Sequence, residues 1–168
     1  PYAKAIEGQL KDSLSLLSYR SDDPLVLKGG DSAAATMHSI VVNPFFDWQG
    51  DHSPGHDYSE SIIYEAHIKG MTMRHPDIPE ELRGTYAGLA HPASVSYLKD
   101  LGVTAVELLP VHAKCDEPFL AERGLTNYWG YSTLSFFAPE PSYATEASRE
   151  RGAQAVIDEF RGMVSLLH

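Results

Sequence analysis

Cysteine is almost absent from this chain. Cys115 is the only one in 168 residues, so no disulfide can form within it. That usage fits a reducing compartment, and we expect a cytoplasmic protein. Cationic clusters are also missing. Thirteen Lys and Arg face twenty-three Asp and Glu, for a formal net charge of −10. A duplex-binding protein carries a basic stripe, so nucleic acid is not an expected partner. Nor is an anionic membrane surface, and no uncharged apolar run approaches the roughly 20 residues of a membrane span. No repeat or low-complexity tract is present. The stretch Lys28-Gly29-Gly30-Asp31-Ser32 lacks the spacing of a phosphate-binding loop. There is no Ser-centred nucleophile elbow. His52 and His56 are four apart, but Pro54 and Gly55 lie between them, so no helix presents both on one face. Glu65-Ala66-His67 has the spacing of a metal-binding His-x-His strand with Glu in the first place, a weak signal. We expect no metal and no cofactor.

What is present suffices for a fold. Hydrophobic residues make up 43% of the chain, enough for a core of ordinary size. Residues 1–57 are irregular. Turn chemistry recurs in "SDDP", "KGGDS" and "QGDHSPGHD", where Gly permits positive φ, Pro fixes φ, and Asp and Ser bond to nearby backbone. "HSIVVNPFFDW" reads as a strand ending at Asn43-Pro44. This part is expected to be the remnant of a β-rich module and a linker. From residue 58 the pattern changes. "SIIYEAHI" (61–68) is β-branched and aromatic and predicts a strand. Residues 91–102 predict a helix, with Pro92 in the first turn, Val95, Leu98 and Leu101 on one face, and Gly102 as the stop. "VTAVELLP" (103–110) is nearly continuous in apolar residues, as expected of a strand buried on both faces. Residues 147–168 predict one helix, with Ala153, Val156, Ile157, Phe160, Val164 and Leu167 at three- and four-residue steps. Strand, helix, strand, helix implies a parallel pair with a right-handed crossover. Two parallel strands leave open edges, so the unit is expected to belong to a larger sheet or barrel. Pro1 stands where an initiator Met would be expected, and the last apolar turn runs straight into His168. Both suggest an internal piece of a longer polypeptide.

In α/β folds function sits in the loops after the carboxyl ends of the strands, here 69–90 and 110–146. The second contains "TNYWGYSTLSFFAPE" (126–140), which holds Tyr128, Trp129, Tyr131, Phe136 and Phe137 among the loop residues Asn127, Gly130 and Pro139. Either neighbours bury these rings, or they form a surface on which something flat can lie. Phe136 and Phe137 are expected in the core. Glu65 and Glu107 are tempting as an acid–base pair. Each falls inside an apolar strand, where a buried carboxyl group would titrate high; the plainer reading is that they hydrogen-bond within the sheet or orient loops. His67 and His112 fall near the ends of the two strands, within reach of a substrate, although structural histidines are commoner. Cys115 is expected to be a bystander.

Three further stretches carry a resemblance: "IIYEAHIKGMT", "LRGTYAGLAHPASVSYLKDLGVTAVELLPVH" and "NYWGYSTLSFFAPEPSYA". In this order they resemble bacterial glycogen debranching enzymes of the isoamylase type, members of the α-amylase superfamily of glycoside hydrolases. "DSLSLLSYR" and "VVNPFFDW" look like the segment before the barrel in those enzymes. The resemblance implies an α/β fold. Residues 58–168 would supply the first two βα units of a (β/α)8 TIM barrel, and 1–57 the end of a β-sandwich module and its linker. It implies a glycosidase that cleaves α-1,6 branches of glycogen or limit dextrin with retention, so the implied partner is an α-glucan; oligomeric state is left open.

The family's catalytic carboxylates follow later strands, so no catalytic residue is expected in this chain. A retaining enzyme needs two carboxyl groups roughly 5–5.5 Å apart, and the isolated chain is therefore expected to be inactive and poorly folded. The Tyr of the family's "GY" pair stacks on the sugar at the scissile bond, and the matching residue is Tyr131; a pyranose C–H face lies well on an aromatic ring. Tyr128, Trp129, Asn127 and His112 complete the expected substrate-binding set, with Asn127 and Trp129 mainly shaping the loop. A non-catalytic glucan-binding protein or degenerate remnant, a trehalose-pathway relative and a metal-dependent barrel hydrolase remain as alternatives.

Overall fold

A computed structural model describes residues 2–11, 16, 22–27 and 29–168. The "DSLSLLSYR" stretch lies mostly outside the described residues. In the N-terminal part, β1 (Ile6–Glu7) and β2 (His38–Ser39) pair antiparallel. The strand expected to run to Asn43-Pro44 is therefore only this short bridge. Asn43 instead bends the chain: its side-chain oxygen accepts from the Phe45 amide, and its own amide donates to Gln154.

β3 (Ile63–Ala66) and β4 (Ala105–Leu108) form the expected parallel pair, in register from Ile63 opposite Ala105 to Ala66 opposite Leu108. Three helices make the crossover: α1 (Ile68–Thr72), α2 (Tyr86–Leu89) and α3 (Pro92–Asp100). α3 starts as its sequence suggests, with Pro92 in the first turn and the His91 ring accepting from the Ala93 amide. β4 is not buried on both faces. Ala105 and Glu107 are exposed and alternate with half-buried Val106 and Leu108, because the described residues cover only one face of this two-stranded sheet. Glu65 and Glu107 lie opposite each other on that open face, exposed and without a hydrogen-bond or ion-pair partner among the described residues. The buried carboxylates expected from the sequence are thus solvated ones.

Beyond β4 the expected loop holds a second sheet. β5 (His112–Lys114) and β6 (Thr133–Pro139) pair antiparallel across an irregular register, joined by a connection that contains α4 (Pro118–Ala121). Phe136 and Phe137 lie on β6 and are 63% and 58% exposed, not in the core. The buried positions of this strand are Ser135 and Ala138. Tyr2 covers part of Phe137 by stacking on it, 5.9 Å between centroids. The single C-terminal helix is two, α5 (Glu146–Glu150) and α6 (Ala153–Leu167), separated at Gly152 with φ +95°. Thr145 caps α5.

The core lies where α1 and α2 meet α6 and the end of the hairpin. Ile68, Tyr86, Leu89, Tyr143, Ala144, Val156 and Met163 form it. Tyr86 is fully buried and meets Phe160 edge-to-face at 5.3 Å. Its hydroxyl donates to the Glu140 carbonyl at 2.9 Å. Burial first, then the nearby Glu140 carboxylate, pushes that hydroxyl's pKa far above its ordinary value, so it stays a donor. Glu140 ties four segments together. Its amide donates to Val111, and its carboxylate accepts from the amides of Lys114 at 3.0 Å and Ser142 at 3.1 Å. Glu159 does the same on α6, accepting from Thr145 and from the Ala87 amide of α2. Replacing Glu140 with Ala leaves two amides without partners, at about 1–3 kcal/mol each, whereas Tyr86→Phe costs only about 1 kcal/mol. Urea unfolding of the natural polypeptide checks this ranking; equal midpoints for the two variants contradict it.

Candidate functional site

The aromatic stretch divides into two parts with different tasks. Residues 133–140 are strand and its end. Residues 126–132 form a loop that crosses the carboxyl ends of both parallel strands. At the β3 end, His67 follows the last strand residue and lies flat against Tyr128, with centroids 4.1 Å apart and planes 5° apart. At the β4 end, Gly130 packs against Pro110. Its φ is +86°, and a Cβ there would sit 3.1 Å from the Pro110 carbonyl oxygen. The conformation disfavours an L side chain and the close approach compounds this.

His67 does not reach outward. Its Nδ1 accepts from the Lys69 and Gly70 amides and caps α1. The ring proton therefore belongs on Nε2, which donates to the Tyr128 carbonyl at 2.6 Å. The Tyr143 hydroxyl lies 3.2 Å from the same nitrogen. Burial, with Glu140 and Tyr128 nearby, pushes the Tyr143 hydroxyl up to about 12, so it too remains protonated. The possible substrate-facing histidine is thus occupied at both nitrogens by the fold. Gly70 leaves room for Tyr128, since a Cβ there would lie 2.6 Å from the phenol oxygen.

Three of the expected rings are exposed, although one face of Tyr128 lies against His67. Tyr131 is 67% exposed, Trp129 66% and Tyr128 48%. Trp129 and Tyr131 meet edge-to-face with centroids 6.4 Å apart. Asn127 is half-buried and turned into the loop: its side-chain oxygen accepts from the Gly130 amide at 2.8 Å. His112 begins β5 on the neighbouring hairpin, half-buried, with its ring edge-on to Phe136 at 5.6 Å. Three rings on one loop at the strand ends can lie against an apolar ring face, and the two tyrosines add hydroxyls for hydrogen bonding. Gly70, Tyr143 and Glu117 also build this place, and sequence reasoning did not single them out; it singled out His67 for reaching substrate, not for holding the loop. The spacing of His67 from Tyr128, 61 residues, carries no local signal.

Cys115 lies behind the loop. Burial, with Glu117 and Asp116 beside it, raises its thiol pKa, which disfavours a reactive thiolate. No helix among the described residues is long and apolar enough to cross a membrane.

No protein-family model matches the chain. It is 49% identical over 175 residues to the "Glycogen operon protein GlgX homolog" of Mycobacterium tuberculosis (strain ATCC 25618 / H37Rv), covering all of this chain and 23% of the relative. It is 45% identical over 174 residues to the "Glycogen debranching enzyme" of Enterobacter sp. (strain 638), again over its full length and 24% of the relative. The chain thus spans about a quarter of the length of these curated relatives. Among solved structures it is similar to pullulanase type I from Bacillus subtilis str. 168 complexed with maltose, with TM-score 0.63 and 26% identity over 80% of this chain and 19% of that one. Pullulanase from Bacillus acidopullulyticus is similar at TM-score 0.60 and 26% identity, over 82% and 18%.

Replacing His67 with Ala removes the ring stack, the carbonyl hydrogen bond and the α1 cap together. We expect a loss of about 2–4 kcal/mol in urea unfolding and several Tyr128 conformers in place of one in a crystal structure. A single unchanged Tyr128 conformer contradicts this.

Proposed function

Because the chain is homologous from end to end with a segment of the bacterial glycogen debranching enzymes, we propose that it is part of a cytoplasmic glycosidase acting on α-glucans. Its finer activity is hydrolysis of α-1,6 branches in glycogen or limit dextrin. The observation that carries the reading is the loop 126–132, which presents Tyr128, Trp129 and Tyr131 across the carboxyl ends of β3 and β4. That is where α/β enzymes place their sites. The likeness to a pullulanase solved with maltose supports an α-glucan as the ligand.

In this reading residues 58–168 supply the first two βα units of a (β/α)8 barrel, and 1–57 end a β-sandwich module. Tyr131 stacks on the sugar at the scissile linkage, Tyr128 lines the same pocket, and Trp129 and Asn127 shape the wall, with His112 at its edge. The two carboxyl groups of a retaining mechanism come from outside this chain. Glu65 and Glu107 are not that pair, since they stand solvated on the sheet face without an orienting partner among the described residues.

The test is titration of maltotriose into the natural polypeptide. Tyr131→Ala weakens binding about tenfold, the equivalent of roughly 1.4 kcal/mol from a lost stacking face, and Tyr128→Ala weakens it less. Unchanged affinity in both variants contradicts the site. Release of linear chains from limit dextrin by the natural polypeptide supports the hydrolase, whereas binding without release leaves only a glucan-binding protein. The purified 168-residue chain shows no debranching, and measurable activity from it would refute the assignment of the carboxylates elsewhere.

A further inference from the structure

Trp129 and Tyr131 cannot hold the loop in place, because most of their surface faces solvent. A loop with few buried apolar contacts opens locally unless polar contacts fix it. Its first ring is fixed by His67. Trp129 and Tyr131 lie beyond that contact, and what fixes them comes from the stretch before α4. The Glu117 carboxylate oxygen Oε1 accepts from the Ser132 hydroxyl, and also from the Asn127 side-chain amide at 3.1 Å. Asp116 accepts from the Asn127 backbone amide at 2.6 Å and lies 3.7 Å from the Lys114 ammonium. Asn127 then accepts from Gly130. One short acidic stretch thereby grips the loop on both sides of the rings. The other Glu117 oxygen, Oε2, is shut from solvent with no partner among the described residues, so the hydrogen bonding of this carboxylate is spent on the loop.

We propose that Glu117 is the positioning residue of the aromatic loop, bracing it at Asn127 and Ser132 so that Trp129 and Tyr131 form a preformed wall for an α-glucan. This rests on the glucan reading of the loop. A preformed wall binds more tightly because ordering it does not have to be repeated at each encounter. Bonds to an ionised carboxylate are the strong kind.

The Ser132 hydroxyl, then the residue's own amide, Asn127 and Lys114 hold the Glu117 carboxyl below its ordinary value of 4.5. The charged and titratable groups around it are Lys114, Cys115, Asp116 and Glu122, with Glu7, Lys11, Glu140 and Arg149 across the same cavity of about 920 Å³. A carboxyl group depressed on folding contributes above its ordinary value and stops contributing as pH falls through the lower folded one. The brace is therefore at full strength at neutral pH and weakens in acid.

The test is hydrogen exchange by mass spectrometry on the natural polypeptide, reading peptides over 126–132 and, as reference, 133–139. In Glu117→Ala the loop peptide exchanges at least about tenfold faster while the β6 peptide is unchanged. Glu117→Gln, which keeps the acceptor oxygen but loses the charge, exchanges at a rate between those of the parent and Glu117→Ala, matching the acidified parent. Acidification below pH 4.5 speeds loop exchange in the parent, after correction for intrinsic rates, but not in Glu117→Gln. The proposal is overturned if Glu117→Ala leaves the loop protected, if it loosens β6 equally, or if the parent and Glu117→Gln show the same acid transition. Added maltotriose slows loop exchange in the parent. If it does not, while Glu117→Ala still loosens the loop alone, the glucan reading has failed and the brace stands.

Discussion

Glu140 is a buried carboxylate whose polar groups are met from four directions. Its amide goes to Val111, its carbonyl receives the Tyr86 hydroxyl, and its two carboxylate oxygens receive the amides of Lys114 and Ser142. A polar group away from water is tolerated only when it is satisfied in this way. The consequence is geometric. The segment after β4, the first strand of the hairpin, the end of the second and the helix pair α2–α6 share one fixed point. Tyr86 carries that point into the apolar cluster, where it meets Tyr143 and Phe160 edge-on.

From this anchor the site is built outward by weaker means. Tyr143 extends from the core to His67, and His67 to Tyr128. The loop beyond relies on local polar contacts and on Gly130 set tightly against Pro110. Stability therefore declines from the buried tyrosine to the exposed ones. On the outer part of the loop, large rings face solvent because the fold does not use them.

The open sheet poses the opposite case. Among the described residues β3 and β4 pair only with each other, and Ile62, Ile63 and Ala105 are exposed along with Glu65 and Glu107. The apolar character of β4 anticipates more cover than the described residues provide. A chain that spans about a quarter of its relatives' length carries a sequence pattern suited to neighbours beyond it.

Much of the local structure was legible in the residues. Pro92 and Gly102 bracket α3, β-branched runs give β3 and β4, and their order gives the parallel pair. The ordered motifs also carried the likeness to glycogen debranching enzymes. These features follow from backbone preferences and short-range periodicity, which need no knowledge of the rest of the chain. Other features depended on distant partners. Phe136 and Phe137 read as core because they are apolar, yet β6 turns Ser135 and Ala138 inward. His67 read as free to meet a substrate, yet its nitrogens and ring are taken up by residues next to it and 61 positions away. Glu117 carried no signal at all, since its meaning comes from Asn127 and Ser132 folding back over it. The sequence by itself determined the element types, their order and the family they resemble. Only the tertiary structure decided which rings face solvent and what holds them, because burial and hydrogen-bond pairing are set by residues far apart in the chain.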